Sequence, residues 1–202
     1  MLSTKQVQFF FDKGYLVVPN VVNQERYLKP IRLEYNKLLD ELIAKWVKQD
    51  KMLPPSPKDS FFDKLLSSYV AGCDWFQSMD ISLPGEKIRN DTPMHFSEAT
   101  FNLLTCPEIL DLVEGLIGPE LTSCPVQHVR LKPPHHALRN DEVRAHISRT
   151  DWHQDKGVLL PEADNTNMVT VWIAITDATE ENGCLSVVPT DHAAAELMPH
   201  CP

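Results

Sequence analysis

Positive charge is scarce in this 202-residue chain: 19 Lys and Arg stand against 28 Asp and Glu, a formal net charge of −9. So acidic a chain lacks the basic stripe that displaces counterions from phosphates, and nucleic acid is not expected as a partner. Long apolar runs are also missing. The longest, near residues 169–175, covers about seven residues where a bilayer span needs about 20, so no membrane span is expected. The N-terminal Met1-Leu2-Ser3-Thr4-Lys5-Gln6 has no charged-then-apolar secretory pattern. The five cysteines (73, 106, 124, 184 and 201) are odd in number, widely spaced and free of any C-x-x-C pair. That excludes a disulfide scaffold or zinc framework as the organising device. It reads as reduced thiols in an intracellular, cytoplasmic protein, with the peroxisome left open. Repeats and low-complexity tracts are absent.

What is present is enough apolar material, 43% of the residues, for one domain with a core. Residues 1–118 read as helical. Ser3 or Thr4 can cap a helix carrying Phe9, Phe10 and Phe11, with Gly14 ending it. Residues 15–18 read as a short strand stopped by Pro19. Asn23 can cap a long helix whose apolar positions Tyr27, Ile31, Tyr35, Leu38, Leu39, Leu42, Ile43, Trp46 and Val47 recur at helical spacing. Residues 61–79 have helical spacing, and residues 105–118 form a clearer helix with Pro107 near its start and Gly118 at its end. From 119 to 202 the grammar turns to period two. Residues 126–131, 153–160, 168–176 and 184–188 read as strands, and Asn182-Gly183 signals a hairpin.

Trp152-His153-Gln154-Asp155 carries the chemistry. Residues two apart on an extended run share a side. His153 and Asp155 would therefore offer an imidazole and a carboxylate together, two of the three ligands of the facial triad that holds non-haem Fe(II). The bland reading of the bare tripeptide is a polar pair on a wet strand face. The residues around it narrow the choice. An alternating strand containing Trp172 follows, then Asn182-Gly183-Cys184-Leu185, then Pro189-Thr190-Asp191-His192. Upstream stand Cys106-Pro107-Glu108-Ile109-Leu110 and Leu131-Lys132-Pro133-Pro134.

These motifs, in this order, resemble the phytanoyl-CoA dioxygenase family of Fe(II)- and 2-oxoglutarate-dependent oxygenases, over roughly residues 5 to 192. The corner motif departs from the family's Pro-Gly-Ser-His. The resemblance implies a double-stranded β-helix (jelly-roll) core with N-terminal helices. It implies that His153 and Asp155 bind iron and act in catalysis. It implies that a small-molecule or acyl substrate is hydroxylated with O2 while 2-oxoglutarate becomes succinate and CO2. Trp172 stands where the family places an aromatic in the cosubstrate pocket. His128 stands where relatives often carry Met lining that site, and its plain alternative is a satisfied strand histidine. Arg89 falls near a family lysine that meets the cosubstrate carboxylate, and its alternative is a solvated loop cation. His135, His136, Arg139, Arg144, His146 and Arg149 fall in a loop that varies in the family.

One departure matters. In the family a third iron ligand and an arginine stand on late strands, whereas this chain ends at Pro202. His192 and His200 are poor substitutes, one a corner residue and the other in a tail. Only about five strand-like runs are present where a jelly roll uses about eight. The reading is therefore the N-terminal part of a longer enzyme. Its competitor is a catalytically inactive member acting as a binding or regulatory module. Oligomeric state is left open.

Overall fold

A computed structural model describes residues 1–85, 87–144, 146–190 and 196–199. Helix α1 (Thr4–Lys13) begins with a reciprocal cap: the Ser3 hydroxyl accepts from Gln6 N at 3.3 Å, and Gln6 Oε1 accepts from Ser3 N at 2.9 Å. Gly14 ends it at φ 75°. Asn23 caps the next element by accepting from Arg26 N at 2.9 Å. One π-helical turn (Gln24–Leu28) then feeds α2 (Lys29–Lys48). The expected stripe of α2 and its lead-in turn is buried at Tyr27, Ile31, Tyr35, Leu39, Ile43 and Trp46, while Leu38, Leu42 and Val47 are only partly buried at its edges. Around it pack α3 (Phe61–Val70), α4 (Phe76–Met79) and α5 (Glu98–Leu104), and α5 leads into α6 (Pro107–Ile117).

Residues 61–79 do not form one helix. The chain breaks after α3, where Gly72 adopts φ 74°, and resumes as the single turn α4. Helix α5 was not expected from the sequence. It is short, and its clearest signal is the cap at Ser97, whose hydroxyl accepts from Thr100 N at 2.9 Å. The core is made of α2, Leu65, Tyr69, Trp75, Met79, Leu103 and Ile147.

The jelly-roll expectation is overturned: among the described residues there is no β-strand. Residues 15–18, 126–131, 168–176 and 184–188 carry no ladder, and residues 153–160 contain a 3-10 turn (Asp155–Val158). The physical reason lies in where the backbone groups go. A period-two pattern specifies an extended chain with one buried side, but a strand also needs a neighbour. Here Gln127 N donates to Ser82 Oγ at 3.0 Å and Val129 N to Asp80 Oδ1 at 3.1 Å, so side chains satisfy that run. The Ile175 carbonyl accepts from Arg32 Nη1 at 2.8 Å. Alternation survives without a sheet, because Val129, Leu131, Ile173 and Ile175 all pack on the helical core. The Asn182-Gly183 turn forms, with Gly183 at φ 90° and Cys184 N donating to Thr179 O at 3.0 Å, but no paired strands flank it.

The segment after Pro134 is held down by one buried carboxylate. Glu142 accepts from Arg144 Nε at 2.8 Å, from Arg144 Nη2 at 2.7 Å and from the Tyr69 hydroxyl at 3.2 Å. No helix among the described residues is long and apolar enough to cross a membrane.

Candidate functional site

His153 lies on an extended stretch and Asp155 opens the 3-10 turn that follows it. Their side chains converge, with His153 Nε2 3.0 Å from Asp155 Oδ1. Both are well exposed, at 44% and 43%. His153 Nδ1 sits 2.7 Å from the Asp151 carbonyl, so it is the protonated nitrogen and donates to that oxygen. Nε2 is left facing the Asp155 carboxylate, and it is the ring nitrogen that a metal held between the two side chains would take. The residue between them faces elsewhere: Gln154 Nε2 donates to Glu196 O at 3.0 Å, and Gln154 Oε1 accepts from Met198 N at 2.7 Å.

The pair can be tested against a metal by its bite. Two bonds of about 2.1 Å at a right angle hold their donors about 3 Å apart. The separation of 3.0 Å meets that requirement, and an imidazole with a carboxylate is a donor set that suits ferrous iron. These two donors fit two adjacent positions. Among the described residues no group of three His, Cys, Asp or Glu converges. His192 and His200, weighed above as third ligands, lie outside the described residues.

The remaining sequence candidates are spread out. Trp172 is 47% exposed, while its neighbour Ile173 packs on the core. Arg89 is an exposed loop residue engaged by Asp91, with Nε donating to Oδ1 at 2.9 Å and Nη2 to Oδ2 at 3.2 Å. His128 has a partner that the sequence did not suggest. Its Nδ1 lies 2.7 Å from Oδ2 of Asp80, a carboxylate whose side chain is 2% exposed. Asp80 Oδ1 accepts from Ile81 N at 2.9 Å and Val129 N at 3.1 Å. The only hint of Asp80 in the sequence was an acidic residue set between Met79 and Ile81.

Farther along the same run, Lys132 Nζ donates to Ser148 O at 2.6 Å and Thr150 Oγ1 at 3.1 Å. Crowding by protein lowers the pKa of both Lys132 and Arg130, and each cation's partial desolvation is the main cause. His146 stacks on Phe76 with ring centroids 3.6 Å apart. Burial, then the positive charges of Arg130 and Arg144, push its pKa down. A groove of about 400 Å³ between Arg32 and residues 174–178 does not include His153 or Asp155.

A family model, Phytanoyl-CoA dioxygenase (PhyH), matches residues 10–198. The chain belongs to the phytanoyl-CoA dioxygenase family. It is similar to "Phytanoyl-CoA dioxygenase, peroxisomal" of Bos taurus, 28% identical over 202 residues, which is 99% of this chain and 50% of that protein. It is similar to the Homo sapiens protein of the same name, 25% identical over 201 residues, 99% of this chain and 50% of that one. It is also similar to "Probable phytanoyl-CoA dioxygenase" of Caenorhabditis elegans, 26% identical over 202 residues, 99% of this chain and 55% of that one. The chain thus spans about half the length of the curated relatives it matches. No solved structure matches it.

Proposed function

We propose that this chain carries the iron-binding pair of a dioxygenase. The reaction is hydroxylation of a small organic or acyl substrate that depends on Fe(II) and 2-oxoglutarate. Membership of the family makes an oxygenase the first reading. The single observation that carries it is the 3.0 Å convergence of His153 Nε2 and Asp155 Oδ1 on an accessible surface. The chemistry that bound ferrous iron, 2-oxoglutarate and O2 would supply is decarboxylation of the oxo acid to succinate and CO2, coupled to hydroxylation of a C–H bond.

The chain's own residues bind and orient. The Asp151 carbonyl holds His153 Nδ1 and so turns Nε2 toward Asp155. The Asp155 carboxylate supplies the second donor and part of the charge that holds a dication. Trp172 offers a large apolar face that would exclude water beside the cosubstrate. Asp80 holds His128 through Nδ1, which leaves Nε2 for the cosubstrate side. Arg89 would meet a cosubstrate carboxylate only by exchanging Asp91 for it. The peroxisomal names of the animal relatives support the peroxisome as the compartment.

A second reading has one observation in its favour. His153 and Asp155 engage each other at contact distance, as they would in an inactive relative serving as a binding or regulatory module. Two measurements separate the readings. The 202-residue chain should bind Fe(II), or Co(II) as a spectroscopic substitute, with affinity reduced about 10- to 100-fold or more in His153→Ala and Asp155→Ala. Iron-dependent succinate release from 2-oxoglutarate should vanish in both variants. Metal binding without turnover would favour the module. Metal binding indifferent to both substitutions would defeat the oxygenase reading.

A further inference from the structure

We propose that Gln154 is a positioning residue for the iron pair: its side-chain amide, clamped on the backbone of residues 196–198, holds His153 Nε2 and Asp155 Oδ1 at their 3.0 Å separation. The inference rests on the iron reading and adds to it the residue that fixes the geometry.

The pair needs such a hold. His153 and Asp155 are well exposed, and so is Trp152 before them, so packing restrains them little. No ladder supports their stretch among the described residues. The contacts of His153 Nδ1 with Asp151 O, at 2.7 Å, and of Gly157 N with Gln154 O, at 2.9 Å, span two and three residues. Lys156 Nζ reaches Thr166 O, ten residues on, at 2.9 Å. Bonds this local shape a turn without fixing it to a distant part of the chain. The Gln154 amide reaches across 42 and 44 residues.

The clamp uses both halves of the amide. Nε2 donates to Glu196 O at 3.0 Å, and Oε1 accepts from Met198 N at 2.7 Å. A primary amide has one acceptor oxygen and one donor nitrogen, so these contacts fix which way it points. A flipped amide would set oxygen against the Glu196 carbonyl and nitrogen against the Met198 N–H. A carbonyl and the N–H two residues on are what one side of an extended chain offers. The amide therefore engages the backbone on either side of Leu197 and no side chain of that segment. The segment also lies against the 3-10 turn, since a Cβ on Gly157 would sit 3.8 Å from Met198 O.

The effect on the pair follows from alternation. Gln154 is extended, at φ −107° and ψ 129°, so its side chain leaves from the side opposite His153. Anchoring the middle residue this way keeps the metal side open. It also restrains the backbone torsions that lie between His153 and Asp155. The Gln154 carbonyl meanwhile accepts from Gly157 N and closes the turn that Asp155 opens. Rotation about those torsions would swing the carboxylate off the imidazole. Two donors already held at their bite lose less binding free energy to ordering.

The test is Co(II) binding to the 202-residue chain, followed by calorimetry and by the visible spectrum of the bound ion. Gln154→Met keeps the length of the side chain and removes both contacts. It should weaken binding about tenfold or more and shift the Co(II) bands as the coordination distorts. Met198→Pro removes the facing N–H and should act in the same direction. The double variant should weaken binding by less than the product of the two single effects, because both break one clamp. Leu197→Ala should leave binding unchanged. Leu39→Ala, which weakens the fold at α2, should leave the affinity of the folded chain unchanged. The bite is also read without metal, as the nuclear Overhauser effect between the His153 ring and the Asp155 β-protons, which Gln154→Met should weaken. If Gln154→Met does not fold, Met198→Pro takes its place in each measurement. Binding that needs His153 and Asp155 but is unmoved by Gln154→Met would overturn the clamp and leave the iron reading standing. Independent effects of the two substitutions, or an unmoved Overhauser effect, would do the same. Binding indifferent to His153→Ala and Asp155→Ala would overturn the iron reading and this role with it.

Discussion

Two buried carboxylates decide how residues 125–150 sit on the helices, and each is exposed to a single substitution. The bidentate hydrogen bonds from Arg144 hold the Glu142 carboxyl down from 4.5 to about 2, against the opposing effect of burial. A depressed folded pKa means the stabilisation is complete above the unfolded value. It is lost as pH falls through the folded one. The chain should therefore lose stability between pH 4.5 and about 2, and Glu142→Gln should flatten that part of a urea midpoint-against-pH profile. Asp80→Ala would strip partners from His128 Nδ1, Ile81 N and Val129 N at once. The expected cost is about 2–4 kcal/mol in chemical denaturation. A cost under about 1 kcal/mol would mean that Asp80 is not what anchors the 125–131 run.

At the scale of elements, the helices are where local sequence and final structure agree. Ser3, Asn23, Ser60 and Ser97 each cap a helical element through the side chain, and the stripe from Tyr27 to Trp46 is the buried face. Leu39, 0% exposed at the centre of α2, should cost about 2–5 kcal/mol as Leu39→Ala, with the helical circular dichroism retained below the transition. Gly14 shows an effect that local rules foresee only in part. Its φ of 75° marks a helix end, but a Cβ there would also lie 2.8 Å from the Thr190 carbonyl, on a segment distant in sequence. Gly14→Ala should therefore cost more than the ~1 kcal/mol of a plain left-handed cap, and a thermal melt measures the excess. The extended runs were legible as alternation and illegible as strands. Alternation reports which side is buried, whereas a ladder depends on a neighbouring chain that no local window contains.

For the whole molecule, the exposed apolar surface matters most. Trp152, Leu160, Trp172, Leu185, Val187 and Val188 are all exposed in one stretch of the chain, and Leu33, Val70, Phe96 and Phe101 are exposed in the helical part. Exposed apolar surface of this kind binds apolar dyes and drives association. The 202-residue chain should bind 1-anilinonaphthalene-8-sulfonate and associate with rising concentration in light scattering, and Trp172→Ser combined with Val187→Glu should reduce both. Monomeric, dye-silent behaviour would show that these side chains are covered in solution. By itself the sequence determined α1, the long α2 and α6, the caps at Ser3 and Asn23, the alternation of the extended runs, and the family, because those follow from neighbours a few residues away and from motifs in order. Only the tertiary structure decided that the extended runs are tied down by Ser82, Asp80 and Arg32 rather than by one another. It alone placed His128 on a buried carboxylate. Pairings between residues tens of positions apart depend on how the chain closes on itself, which local pattern does not encode.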